Sequence, residues 1–122
     1  MRLRIPATGL YTYPDVTVVC GEPRFEDEYL DTLLNPTVLV EVLSPSTESY
    51  DRGRKSGNYR TIESLAEYLL VSQDEYKIEQ YSKQPDGRWL LADIRSREGV
   101  VDLASIQCVL KLNDVYSKVT LA

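Results

Sequence analysis

A chain of 122 residues with a 43% hydrophobic share has material for one soluble globular domain, spanning 1–122, and too little for two. It contains no histidine, which removes Ser-His-Asp and Cys-His triads, a histidine general base and nearly all zinc and non-haem iron sites; any metal must be held by oxygen, which favours Mg²⁺ or Mn²⁺. The net charge of −5 works against nonspecific nucleic-acid binding unless a local basic patch offsets it, and Asp51-Arg52-Gly53-Arg54-Lys55 with Arg60 is either such a patch or a solvated helix face.

No run of about 18 apolar residues occurs, and no apolar stretch follows the basic start Met1-Arg2-Leu3-Arg4, so a cytoplasmic chain without a membrane partner is expected. Cys20 and Cys108 are then expected to be reduced and half-buried on strands. Residues up to Leu10, with Pro6 and Gly9 and no clear period, read as an irregular lead-in. Tyr13 to Cys20 reads as a Val- and Thr-rich strand stopped by Gly21-Glu22-Pro23. The acidic stretch Glu22 to Pro36 reads as a loop with a helical turn.

Thr37 to Leu43 is nearly continuous in apolar residues, the pattern of a central strand covered on both faces. Ser44-Pro45-Ser46-Thr47 supplies a turn and a cap for a helix from about Glu48 to Ser64, weakened by Gly53 and Gly57. Glu67 to Ser72 and Tyr76 to Ser82 are expected as strands joined at Gln73-Asp74-Glu75. Pro85-Asp86-Gly87 turns the chain into a strand from Trp89 to Ile94. A late strand around Cys108 to Leu112 and a short segment, Asn113 to Lys118, end the domain. Strands first, one helix, then a meander predict an α/β (α+β) domain built on a mixed sheet.

Two acids stand where they are costly. Glu41 lies inside the run Thr37 to Leu43, on the same strand face as Leu39 and Leu43, and Asp15 opens the run Asp15-Val16-Thr17-Val18-Val19. An ionised carboxylate in such a layer must be compensated or become neutral. If the two strands pair antiparallel, Asp15 comes opposite Glu41, and one hard divalent cation could serve both. Asp51, Lys55 and Tyr59 are spaced four apart, so they share a helix face; either they attend those acids, or Asp51 and Lys55 form an exposed pair while Tyr59 packs on the sheet. Gln73 is a turn residue or an outlying member of the same site.

Pro14-Asp15, Glu41-Val42-Leu43-Ser44-Pro45-Ser46-Thr47, then Asp51, Lys55 and Tyr59, and finally Glu67-Tyr68-Leu69-Leu70-Val71 resemble the Uma2 family, within the PD-(D/E)XK nuclease superfamily. The resemblance runs from about Tyr13 to the C-terminus. It implies a restriction endonuclease-like mixed β-sheet flanked by helices, with Asp15 and Glu41 holding Mg²⁺ or Mn²⁺ and DNA as the substrate. The superfamily's lysine stands two residues beyond the glutamate, where this chain has Leu43; in families similar to this one it moves to the following helix, which assigns Lys55 the catalytic role and Asp51 and Tyr59 supporting ones. The resemblance also implies a helical segment and strands before the Pro-Asp motif, so the N-terminal elements are expected to be truncated. The apolar surface they would leave favours a homo-oligomer, a dimer. Two readings follow: a metal-dependent endonuclease hydrolysing DNA phosphodiester bonds, or a catalytically inactive nuclease-fold module acting in self-association or partner binding.

Overall fold

The computed structural model describes residues 2–26, 32–44 and 51–117. Its centre is the run expected to be buried on both faces. Strand β5 (Val38–Val42) lies parallel to β6 (Glu67–Val71), whose five residues are all buried. Strand β3 (Val16–Val18) pairs antiparallel with β5 on one side, and β7 (Ile78–Lys83) and β8 (Trp89–Ile94) extend β6 on the other, giving the order β3-β5-β6-β7-β8.

The pleat divides the core between the two faces of this sheet. Leu39, Leu43, Tyr68 and Leu70 face one cluster, closed by Tyr59, Ile62 and Leu65 and by Leu3, Ile5 and Leu33 from a smaller sheet. Leu69, Val71 and Ile78 face the other, closed by Val101, Leu103, Leu112 and Tyr116. That second cover is a hairpin of β9 (Val100–Leu103) and β10 (Cys108–Lys111), followed by the helical turn Leu112–Val115.

The N-terminal residues correct the expectation of an irregular lead-in. Strand β1 (Arg2–Ile5) and β2 (Leu10–Thr12) form an antiparallel hairpin, and β4 (Thr32–Leu33) runs parallel to β1. Gly9, at φ 74°, supplies the left-handed residue that the hairpin needs, and the period of two is legible only in Leu3 and Ile5, both buried. The helix expected from Glu48 to Ser64 is shorter than its pattern: a π-helical turn, Asp51–Lys55, continues into α1 (Ser56–Tyr59) and stops at Arg60. Gly57 and the β-branched pair Thr61-Ile62 favour this early stop, and the Thr61 hydroxyl donates to the Asn58 carbonyl at 2.6 Å. The expected turn at Pro45-Ser46-Thr47 and the start of that helix lie outside the described residues.

The hairpin turn before β8 is as expected, with Gly87 at φ 88° and its N–H bonded to the Gln84 carbonyl at 2.9 Å. Strand β9 was missed because Val100-Val101-Asp102-Leu103 is too short to stand out from its polar flanks. Cys20 and Cys108 are free and exposed rather than half-buried. Among the described residues no helix is long and apolar enough to cross a membrane.

If the first hairpin is part of the core, Leu3→Ala should lower unfolding free energy by about 2–5 kcal/mol, as for any deep leucine truncation. Leu10→Ala, at 45% exposure, should cost no more than about 0.5 kcal/mol. Urea unfolding monitored by circular dichroism checks both, and a Leu3 variant as stable as the parent would detach the hairpin from the core.

Candidate active site

The register that builds the sheet also assembles the acids. Val16 pairs with Val40 antiparallel, so one step further along the ladder Asp15 stands opposite Glu41. Asp15 is exposed at the strand's start and its Oδ2 accepts the Val42 N–H at 2.7 Å. Glu41 is only 3% exposed, on the face it shares with Leu39 and Leu43.

Its compensation comes from the π-helical turn and α1. Lys55 Nζ lies 2.9 Å from Glu41 Oε1, and the Tyr59 hydroxyl donates to the same oxygen at 2.8 Å. Lys55 also stands 5.9 Å from the centre of the Tyr59 ring. The four-residue spacing of Lys55 and Tyr59 therefore does place both on one face, and that face meets the sheet where the carboxylate needs them. The Asp51 side chain lies outside the described residues.

Burial pushes the Glu41 carboxyl above its ordinary pKa; Lys55 and Tyr59 work against that shift, and the negative charge of Asp15 adds to it. The strand register sets Asp15 and Glu41 at facing positions of adjacent strands. Each uses one oxygen for this chain's own donors, and among the described residues no donor meets Asp15 Oδ1 or Glu41 Oε2. Two hard oxygens on mutually repelling acids suit a small divalent cation. Mg²⁺ commonly takes one or two carboxylates and completes its shell with water and phosphate. Among the described residues no group of three or more potential ligands gathers.

Three further contributors escaped sequence reasoning. Thr12 Oγ1 lies 3.2 Å from the Tyr59 hydroxyl, bringing the first hairpin to the site; Thr12 falls between the lead-in that ends at Leu10 and the strand expected from Tyr13, so no signal marked it. The backbone N–H of Val42 orients Asp15. Glu79, 4% exposed and paired with Lys77 at 3.1 Å, lies in the same row of the sheet as Glu41, with Leu70 between them. The alternation Ile78-Glu79-Gln80-Tyr81 carried that signal. An open groove of about 560 Å³ reaches Asp15 along the edge of β3, lined also by Pro14, Val16, Gly21 and Phe25.

The spacing from Pro14-Asp15 through Glu41 to Lys55 and Tyr59, now seen to converge, is matched over residues 1–113 by the family model described as "Uma2: Putative restriction endonuclease". The chain belongs to the Uma2 family. The match starts at residue 1 rather than near Tyr13, so the first hairpin is within the family's domain. Two proteins of Synechocystis sp. (strain PCC 6803) are similar: "Uncharacterized protein sll1609", 40% identical over 85% of this chain and 59% of its own length, and "Uncharacterized protein slr1290", 38% identical over 95% and 60%. The chain therefore spans about three fifths of the curated relatives it matches. A crystal structure from Anabaena variabilis, titled as a "putative nuclease belonging to DUF820", superposes with a TM-score of 0.74 over 95% of this chain and 64% of that one, at 16% identity. That likeness is one of fold: this chain has a restriction endonuclease-like, α+β architecture of mixed sheets with few helices.

The ion pair makes a pH-dependent prediction. A group with a raised folded-state pKa contributes most to stability below its unfolded pKa, and that contribution is lost as pH rises through the folded value. Lys55→Met removes the ammonium that restrains the Glu41 shift, so the variant should be about 3–5 kcal/mol less stable at neutral pH and should regain part of that as pH falls toward the ordinary glutamate range. Urea unfolding at pH 5 and pH 8 with chelator present checks it; a deficit independent of pH would mean that Glu41 is not the group Lys55 stabilises.

Proposed function

We propose that this chain is a metal-dependent endonuclease domain that hydrolyses DNA phosphodiester bonds, with Asp15 and Glu41 as ligands of Mg²⁺ or Mn²⁺ and Lys55 as the catalytic cation. The observation that carries the reading is the convergence of two acids from neighbouring strands with a helix-borne ammonium, each acid keeping one oxygen unclaimed by described donors. A divalent ion held there supplies Lewis-acid polarisation of the phosphate and a lowered pKa for an attacking water. Asp15 is oriented by the Val42 N–H. Glu41 is kept ionised by Lys55 and Tyr59 despite its burial. The Lys55 ammonium, fixed by Glu41, neutralises charge that develops on the phosphate or orients the attacking water. Tyr59 positions Glu41, and Thr12 positions Tyr59.

Supercoiled plasmid nicking by purified protein with Mg²⁺ or Mn²⁺ tests this directly. Asp15→Asn, Glu41→Gln and Lys55→Ala should each lose roughly 100-fold or more in rate, the scale for removing one electrostatic contributor in a water-poor site. Mn²⁺ should also raise the melting temperature of the parent by several degrees and leave Glu41→Gln unmoved. Equal nicking by parent and Lys55→Ala protein would sink the assignment.

The alternative, a non-catalytic module that associates with itself, has one observation in its favour. Strand β8 is an edge strand without proline, and it exposes Leu90 (59%) and Leu91 (50%), one on each face. Under this reading a dimer would form through that edge, not through a surface left by missing N-terminal elements. Light scattering should then show a dimer that Leu90→Lys with Leu91→Lys converts to a monomer; a monomeric parent removes the reading.

A further inference from the structure

At the end of β5, on the face of the sheet opposite Glu41, lies a recess of about 370 Å³ lined by Val42, Val71, Ser72, Gln73, Val115 and Tyr116. Val42 belongs to both places: its N–H holds Asp15, and its side chain, 39% exposed, forms a wall of the recess. The opposite wall is fixed. The Tyr116 hydroxyl lies 2.7 Å from the Ser72 carbonyl and 2.9 Å from the Lys77 carbonyl and accepts the Lys77 N–H at 3.3 Å, while its ring meets Tyr76 edge-on at 5.0 Å.

We propose that this recess receives an unpaired nucleobase from the nucleotide adjoining the bond held at Asp15 and Glu41, so that the substrate is single-stranded or locally unstacked DNA. The inference rests on the nuclease reading and narrows its substrate. Among the described residues no cationic side chain lines the recess, which makes that lining a poor seat for phosphate. Its walls are aliphatic and aromatic, and the nearby backbone amides are already engaged, Ser72 N–H with the Lys77 carbonyl at 3.0 Å and Leu43 N–H with Val71 at 2.8 Å. The polar side chain exposed at the rim is the Gln73 carboxamide, which both donates and accepts and so matches the edge of a base. Flat apolar walls with one such group describe a site for a heterocycle. In intact duplex that heterocycle is stacked and paired, and a strand must release it before it can enter.

The test compares a fluorescein-labelled single strand with its duplex, by anisotropy with Ca²⁺ in place of Mg²⁺ or Mn²⁺, for the parent, Val115→Trp, which fills the recess, and Gln73→Ala, which changes only an exposed side chain. The parent should bind the single strand more tightly than the duplex. Both variants should lose affinity for the single strand, about tenfold for Val115→Trp, with the duplex unchanged. Equal binding of the two DNA forms by the parent, or folded variants that bind the single strand as the parent does, overturns the recess. If plasmid nicking persists alongside that result, the nuclease reading stands without it; if the parent neither binds nor nicks, both fall.

Discussion

The placement of one carboxyl group inside an apolar strand organises this molecule. Glu41 sits between Leu39 and Leu43 in the central strand pair, where desolvation opposes its charge. The chain answers with one ammonium and one phenol, both delivered by a short helical segment that follows the strand. That segment is a poor helix by propensity, with two glycines and a π-helical start, and π-turns tend to mark places where function overrides regular geometry. Its position is set less by helical propensity than by Tyr59, which is wholly buried and packs edge-on against Tyr68 at 5.1 Å. The aromatic contact anchors the element, and the element then holds Lys55 over the acid.

A buried pair of this kind is weak evidence for stability, because desolvating two charges consumes most of what their attraction returns. A leucine at position 41 would continue the run Val38 to Leu43 without any such cost. The pair makes physical sense as a device that keeps a carboxylate ionised and oriented where it would otherwise be protonated or absent. The same logic extends outward through Thr12, which fixes Tyr59 from the first hairpin, and through the Val42 amide, which fixes Asp15. Elements remote in sequence thus converge on two carboxylates.

Legibility in the sequence followed how strongly each signal was tied to burial. The central strand, the meander from β6 to β8 and the Gly87 turn were readable because continuous apolar runs and turn residues leave few alternatives. Glu41 was readable for the opposite reason, as a charge in the wrong surroundings, and its alignment with Asp15 followed from the register once an antiparallel pairing was assumed. The first hairpin was not readable. Strands of three or four residues with a single buried face leave too little periodicity, and it takes the smaller sheet to show why Leu3 and Ile5 are apolar. The helix was over-read because a spacing of four persists in the sequence beyond the point where the backbone stops obeying it. Thr12 meets Tyr59 from a strand far away in the chain, a contact that local patterns do not encode.

The charge distribution limits how such a site could meet a polyanion. Many of the cations are already committed to neighbouring acids: Lys55 to Glu41, Lys77 to Glu79, Arg4 to Glu26, Arg88 to Asp86 and Arg95 to Glu75 and Asp93. With five more acids than bases overall, the far field repels nucleic acid rather than steering it. Affinity for a DNA strand must then come from short-range contacts: a divalent ion bridging carboxylates and phosphate, and apolar walls that shelter a base. The two proposed contacts meet at Val42, at the end of β5, whose N–H holds Asp15 and whose side chain walls the recess. Under the proposed function, this charge balance gives little nonspecific grip on duplex DNA. Discrimination is left to whether a strand can present a phosphate and a free base to that edge together.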